Sequence, residues 1–161
     1  MAILDSSAAQ QRVRNWQQAG KTVVFTNGCF DLLHAGHIEL FIQARALGDF
    51  LIIGLNSDHS IHRLKGINRP VQPEEDRAYI LNALKVVDLV VIFNEDTPAR
   101  LIEILSPDVL VKGSDYRDSE IIGADYVRKQ GGKVARIALK PGCSTSLLIE
   151  RIRRIQIGEK S

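Results

Sequence analysis

Cysteine occurs only twice in the 161 residues, at Cys29 and Cys143, and the two show no paired-ligand spacing. That excludes a disulfide framework and a structural zinc site, and a reduced cytoplasmic compartment is expected. No stretch reaches the about 18 consecutive apolar residues of a membrane span. The opening residues MAILDSSAAQQRVRNWQQAG lack the basic start and apolar run of a secretory signal. Charge of one sign is missing as well: 21 Lys and Arg face 19 Asp and Glu, a net charge of +2. Neither nucleic acid nor an anionic membrane is therefore an expected partner, although a small anionic ligand needs only a local cluster. Three fingerprints are absent too: GxGxxG for dinucleotides, GxxxxGK[ST] for triphosphates and GxSxG for serine hydrolases.

What is present fits one compact domain, since 161 residues with 45% hydrophobic content can bury a core but not two. Short apolar runs alternate with helical spacing: VVF at 23–25, DFLIIGL at 49–55, 89–93, PDVLVK at 107–112 and 133–139. This alternation predicts a single doubly wound α/β domain with about five parallel strands. Residues 1–20 are expected to be a peripheral helical segment, with Val13 and Trp16 against the body. Residues 59–73 read as a basic loop, Pro73 starts a helix with Glu74, Glu75 and Asp76 in its first turn, and Asp96 is a candidate cap for the helix after it.

The chain is organised around KTVVFTNGCFDLLHAGH, residues 21–37. A buried strand ends in a turn through Asn27 and Gly28, and helical spacing resumes near Gly36. His34 and His37, three apart, then share one side of a helix mouth, where free N–H groups favour a phosphate. Either histidine alone is equally a turn cap or a surface residue. Two together beside an anion site point to phosphate handling, while HxxH without placed carboxylates is a weak zinc pattern and no metal ligand is assigned. Lys65 beside Gly66 supplies a point charge that could reach the same anion. GCST at 142–145 offers a second helix mouth, with Ser144 and Thr145 as hydroxyl donors or as a simple cap. Strand ends in a parallel sheet share one rim, so these turns should meet there.

HAGH with TNGCFD resembles the HxGH signature of the cytidylyltransferase-like nucleotidyltransferase superfamily, and implies its Rossmann-like nucleotidyltransferase fold. FTNGCFDLLHAGH, LNSD, LKGINRPV, EEDRAYILNAL, EDTP, LVKGSDY and GCSTSLLI occur in the order seen in the branch that adenylylates D-glycero-β-D-manno-heptose 1-phosphate. The resemblance runs from about Thr22 to Ile155. It implies transfer of the adenylyl group of ATP to heptose 1-phosphate, giving ADP-heptose and pyrophosphate for lipopolysaccharide inner-core precursors. His34, His37 and Lys65 are implied as catalytic. Thr26, Asn27, Gly28, Cys29, Phe30, His37, Lys112, Gly113, Asp115, Ser144 and Thr145 are implied to bind the nucleotide, with Asp31 and Arg77 in substrate-binding or supporting positions. Mg2+ is implied with ATP, as are a homodimer and a separate sugar kinase in the pathway. Ser114 and Ser146 depart from the pattern by small polar changes, and LKPGCST replaces the RTEGIST of related cytidylyltransferases. A cytidylyl- or adenylyltransferase for another polyol or sugar phosphate is the alternative, and a catalytically silent nucleotide-binding regulatory domain a more distant one.

Overall fold

The computed structural model describes residues 3–113, 120–138 and 141–158. In chain order the elements are β1 (Ile3–Leu4), α1 (Ser6–Gln18), β2 (Val23–Gly28), α2 (Ala35–Arg45), β3 (Phe50–Asn56), α3 (Asp58–Lys65) and α4 (Glu74–Asn82). They continue as β4 (Leu89–Phe93), α5 (Ala99–Leu105), β5 (Val109–Gly113), α6 (Ala124–Lys129), β6 (Lys133–Ile137) and α7 (Thr145–Gly158). The strands form one parallel sheet in the order β1-β4-β3-β2-β5-β6. From β2 the chain winds outward through β3 and β4, then returns to β5 on the other side of β2. The reversal opens a crevice beyond the carboxyl ends of β2 and β5, where such sheets bind ligands.

The apolar runs are continuous because both faces of each strand are covered. Val23 and Phe25 point into a core with Ala9 and Val13 of α1, Leu101 and Ile102 of α5, and Val127 of α6. Val24 points the other way, into a core with Phe41 and Ala44 of α2 and Ala78 and Leu81 of α4. Asp49, Asp88 and Asp108 fix the opposite rim. Their carboxylates accept from the N–H groups of Thr22 at 2.9 Å, Leu51 at 2.8 Å and Val23 at 2.8 Å respectively. One acidic residue per loop thus sets the strand starts and leaves the carboxyl ends for chemistry.

Several expectations are revised. Among the described residues the sheet has six strands rather than about five, the addition being the two-residue edge strand β1 on β4. Two residues carry no period, so no pattern announced it. The helix of the first twenty residues is α1, capped by Asp5 and burying Ala9 and Val13 completely, with Trp16 stacked on Phe50 at 4.0 Å. Residues 58–65 are helix α3, not loop. Ser57 caps it through the N–H of Ser60 at 3.1 Å, Asp58 occupies its first turn and His62, Arg63 and Lys65 its last, the charge order that suits a helix dipole. Its polar composition masked that order, because Ile61 is its only buried apolar residue. Asp96 does not cap α5, whose cap position is Pro98; it pairs with Arg63 at 2.6 Å.

Candidate active site

β2 delivers the site turn to the crevice. After Gly28 the backbone turns through Phe30, which holds a left-handed φ of 43°, a costly conformation for a residue with a side chain. Gly28 makes it possible, since a Cβ there would lie 2.9 Å from the Phe30 ring. The next residue, Asp31, is buried, and its carboxylate accepts from Arg69 Nε at 2.8 Å, Val71 N–H at 2.8 Å and Gln72 N–H at 3.0 Å. Burial pushes its pKa up, but the Gln72 and Val71 N–H groups and Arg69 outweigh that and hold it below the ordinary 3.8.

Arg77 lies behind the same turn, 1% exposed. It donates from Nη1 to the carbonyls of Cys29 at 2.6 Å and Asn56 at 2.9 Å, from Nε to Gln72 O at 3.0 Å, and from Nη2 to Asp58 at 2.7 Å. The carboxyl ends of β2 and β3, the start of α3 and the 69–72 segment are thus tied by one guanidinium. Its ion-pair partner is Asp58 and not the acidic first turn of α4. Asp31 and Arg77 brace the turn from behind and line none of the cavities described below.

His34 occupies the cap position of α2 without making a side-chain cap bond. Its ring stacks on His37 with centroids 3.7 Å apart, and His37 meets Phe30 edge-on at 5.2 Å. Gly36 allows this packing, because a Cβ there would come within 3.0 Å of both His34 Nδ1 and Cys143 Cβ. Burial, then His34, then Lys65 lower the His37 pKa from 6.5 to about 4, and burial lowers that of His34. His37 is accordingly a neutral imidazole at neutral pH.

The two histidines face a cavity of about 360 Å³. Thr26, Asn27 and Phe30 line it from β2 and the turn, and Lys65, Lys112 and Gly113 from the ends of α3 and β5. Ser144 and Thr145 close it at the mouth of α7. Ser144 caps that helix, its Oγ accepting from Leu147 N–H at 3.1 Å. Gly28 and Cys29 line an adjoining cavity of about 360 Å³, which shares Asn27, Lys65 and Lys112 with the first. Asp115 lies outside the described residues, as does Ser114.

Thr26 Oγ1, Asn27 Oδ1, His34 Nδ1 and His37 Nδ1 are buried and, among the described residues, have no hydrogen-bond partner. Buried polar atoms are rarely left so, and their convergence on one cavity is what a ligand would explain. A larger cavity, about 550 Å³, lies at the opposite rim beside Gln17, Thr22 and Asp108. Its polar groups are spent on the fold, Gln17 on Ser106 O at 2.9 Å and Asp108 on Val23, whereas these four atoms of the smaller cavity are left unpaired among the described residues. Sequence reasoning missed Gly36, Cys143 and Ser146 as lining residues, although the first stands inside HAGH. It also missed the bonds of Arg69 and Gln72 to Asp31, which carry no local pattern.

Among the described residues no group of three or more His, Cys, Asp or Glu could hold a metal ion. The turn's own carboxylate, Asp31, is already saturated with N–H donors.

Two imidazoles and two lysines at the switch point of a parallel sheet place the protein in the doubly wound α/β class, with a polar cavity of the kind that suits an anion. A family model for cytidylyltransferase-like proteins matches residues 25–151. The chain belongs to this cytidylyltransferase-like family and is a nucleotidyltransferase. It is 54% identical to the bifunctional protein HldE of Magnetococcus marinus over 93% of its own length and 31% of that protein. Against the HldE of Syntrophotalea carbinolica it is 57% identical over 84% of the chain and 28% of the relative. The chain thus spans about a third of the length of these relatives. Among solved structures, a lipopolysaccharide core biosynthesis protein from Thermoplasma volcanium superposes with a TM-score of 0.65 at 30% identity, over 75% of this chain and 99% of that one.

Proposed function

We propose that the chain transfers the adenylyl group of ATP to D-glycero-β-D-manno-heptose 1-phosphate. The observation that carries the proposal is the gathering of His34, His37, Lys65, Lys112 and the Ser144–Thr145 helix mouth around one cavity. The likeness to HldE proteins and to a lipopolysaccharide core biosynthesis protein supports the heptose acceptor.

In this reading a phosphate oxygen of heptose 1-phosphate attacks the α-phosphorus of ATP. The new P–O bond forms as the bond to the β-phosphate oxygen breaks, and pyrophosphate leaves with the electron pair. The nucleophile is already anionic at neutral pH, so no strong general base is needed and catalysis consists of alignment and charge stabilisation. Neutral His34 and His37 each donate one N–H to oxygens around the α-phosphorus. Lys65 and Lys112 offset the charge of the reacting phosphates, and Ser144, Thr145 and the free N–H groups of α7 take the leaving pyrophosphate. Mg2+ belongs to the substrate as Mg–ATP and neutralises triphosphate charge.

The wider setting is part of the same proposal: a cytoplasmic homodimer, supplied with heptose 1-phosphate by a sugar kinase. The word bifunctional in the relatives' name is consistent with a kinase outside the matched third.

Pyrophosphate release across the four common nucleoside triphosphates and a set of phosphorylated acceptors is the test. ATP with the heptose phosphate should give the highest kcat/KM. Turnover of CTP with a polyol phosphate in its place, or no turnover of any pair, would overturn the assignment.

A further inference from the structure

Arg69 faces two ways. Its Nε holds the buried Asp31 at 2.8 Å and so braces the turn that leads to the histidines, while its two Nη groups make no hydrogen bond among the described residues. The same side chain lines a cavity of about 410 Å³ between the 68–71 segment and one face of α7. Ser146, Glu150 and Arg153 form that face, at i, i+4 and i+7. Arg153 is exposed and has no ion-pair partner among the described residues, whereas Glu150 already pairs with Arg154. Two guanidinium groups with unspent donors therefore border one cavity, and its carboxylate is matched by a cation of its own. α7 is otherwise weakly anchored, none of its described side chains being buried. Its first turn is nevertheless a wall shared with the catalytic cavity, since Ser146 lines both. His34, His37, Lys65 and Lys112 do not line the new cavity.

We propose that this cavity is a regulatory site for a phosphate group, either inorganic phosphate or the phosphate of a small monoester, bound between Arg69 and Arg153. A tetrahedral phosphate offers oxygens to two guanidinium forks at once, whereas a single guanidinium occupies both oxygens of a carboxylate. Asn68 and Ser146 add an amide and a hydroxyl from opposite walls. The bound anion ties the segment that braces Asp31 to the face of α7. Through that tie it holds the Ser144–Thr145 mouth against the histidine cavity, so nucleotide binds more tightly when the anion is present. Linkage requires the reverse as well: bound nucleotide tightens the anion. The inference rests on the reading that the triphosphate lies between the histidines and the mouth of α7, and it is independent of the acceptor.

Calorimetry on the full chain tests it. Sodium phosphate and glucose 6-phosphate are the probes, titrated into protein saturated with a non-hydrolysable ATP analogue so that the catalytic cavity is filled. Arg153→Ala removes one fork from an exposed position and Val71→Trp fills the cavity from another, both with little effect on folding. At least one probe should bind the wild type, and each variant should weaken that binding about tenfold or more. The bound probe should also raise the wild-type affinity for the analogue about fivefold or more, a gain that disappears in Arg153→Ala. Tighter binding of the monoester supports a phosphorylated metabolite as the ligand, and equal binding supports inorganic phosphate. No binding of either probe, or binding as strong in both variants as in the wild type, overturns the site. Binding seen only without the analogue assigns the probe to the catalytic cavity and overturns it equally, and binding that leaves analogue affinity unchanged overturns the regulation. If the wild type does not bind the analogue, the preceding section fails instead, and the loss of phosphate binding in the two variants decides the site alone.

Discussion

Arg77 donates to the carbonyl oxygen of Cys29 at 2.6 Å from a position with no solvent access to its side chain. A buried guanidinium is tolerable only because Cys29, Asn56, Gln72 and Asp58 occupy its donors. Arg77→Leu should therefore destabilise the protein by about 3–5 kcal/mol, since it leaves those acceptors unpaired and Asp58 without its cation. Arg77→Lys should recover only part of this, because an ammonium cannot reproduce the fork. Urea unfolding at neutral pH measures both, and a loss below about 1 kcal/mol for Arg77→Leu would contradict the account.

Asp31 spends its lone pairs on Arg69, Val71 and Gln72 and has none to offer a substrate or cation. In Asp31→Asn one amide N–H₂ faces N–H donors, at a cost of about 1–3 kcal/mol. At a temperature where the variant is fully folded, its KM for ATP should stay within about threefold of wild type, the mark of a group that binds no substrate. A tenfold rise in that KM with unchanged stability would show instead that Asp31 touches the nucleotide.

His34→Ala and His37→Ala should each lower kcat by about 10²–10³, the usual loss for one donor to a developing oxyanion. Thermal melting should move little for His34, which is half-buried, and by more for His37, which packs on Phe30. Full activity in both variants would remove the histidines from the mechanism.

Acid should act in two windows. His37 is neutral in the fold down to about pH 4, whereas its ordinary pKa is 6.5. Between those values the unfolded chain binds the proton and the folded one does not, so stability falls as pH drops from 6.5 toward 4. The stability held by ionised Asp31 is present above its unfolded value of 3.8 and is lost only below it, as pH falls through its lowered folded pKa. His37→Gln should flatten the dependence of unfolding free energy on pH within the first window and leave the second intact. An unchanged slope between pH 6.5 and 4 would refute the assignment.

Gly36→Ala should damage the site more than the fold. The added Cβ would sit 3.0 Å from His34 Nδ1 and from Cys143 Cβ, which forces apart the imidazole and the loop before α7. A kcat reduced at least about tenfold with a melting temperature within a few degrees is expected. Wild-type kinetics would show that both neighbours yield freely.

The strands from β2 onward and the shared rim were legible because continuous apolar runs, each ended by polar residues, encode buried parallel strands directly. The joint placement of His34, His37, Lys112 and Ser144 followed from the topology, since all stand at carboxyl ends of strands or at helix mouths on one rim, whereas Lys65 reaches it from the far end of α3. What could not be read was non-local or non-periodic. β1 is two residues long, and α3 hides its helical order behind basic side chains. The bond from Arg77 to the Cys29 carbonyl joins residues 48 apart, and that from the Gln72 N–H to Asp31 residues 41 apart. Arg77 shares its helix with Glu74, Glu75 and Asp76, yet its ion-pair partner Asp58 lies on another element, and sequence shows neighbours along the chain and not across the sheet.

Trp16 is the sole tryptophan, and it lies flat on Phe50 at 4.0 Å with an interplanar angle of 9°. Phe50 starts β3 at the end of the sheet away from the histidines. The protein therefore carries its single indole at a junction that exists only when α1 is docked. Its emission reports the integrity of that docking at the rim opposite the histidines, so a change in indole emission on addition of nucleotide would be a sign of global rearrangement and not of occupancy.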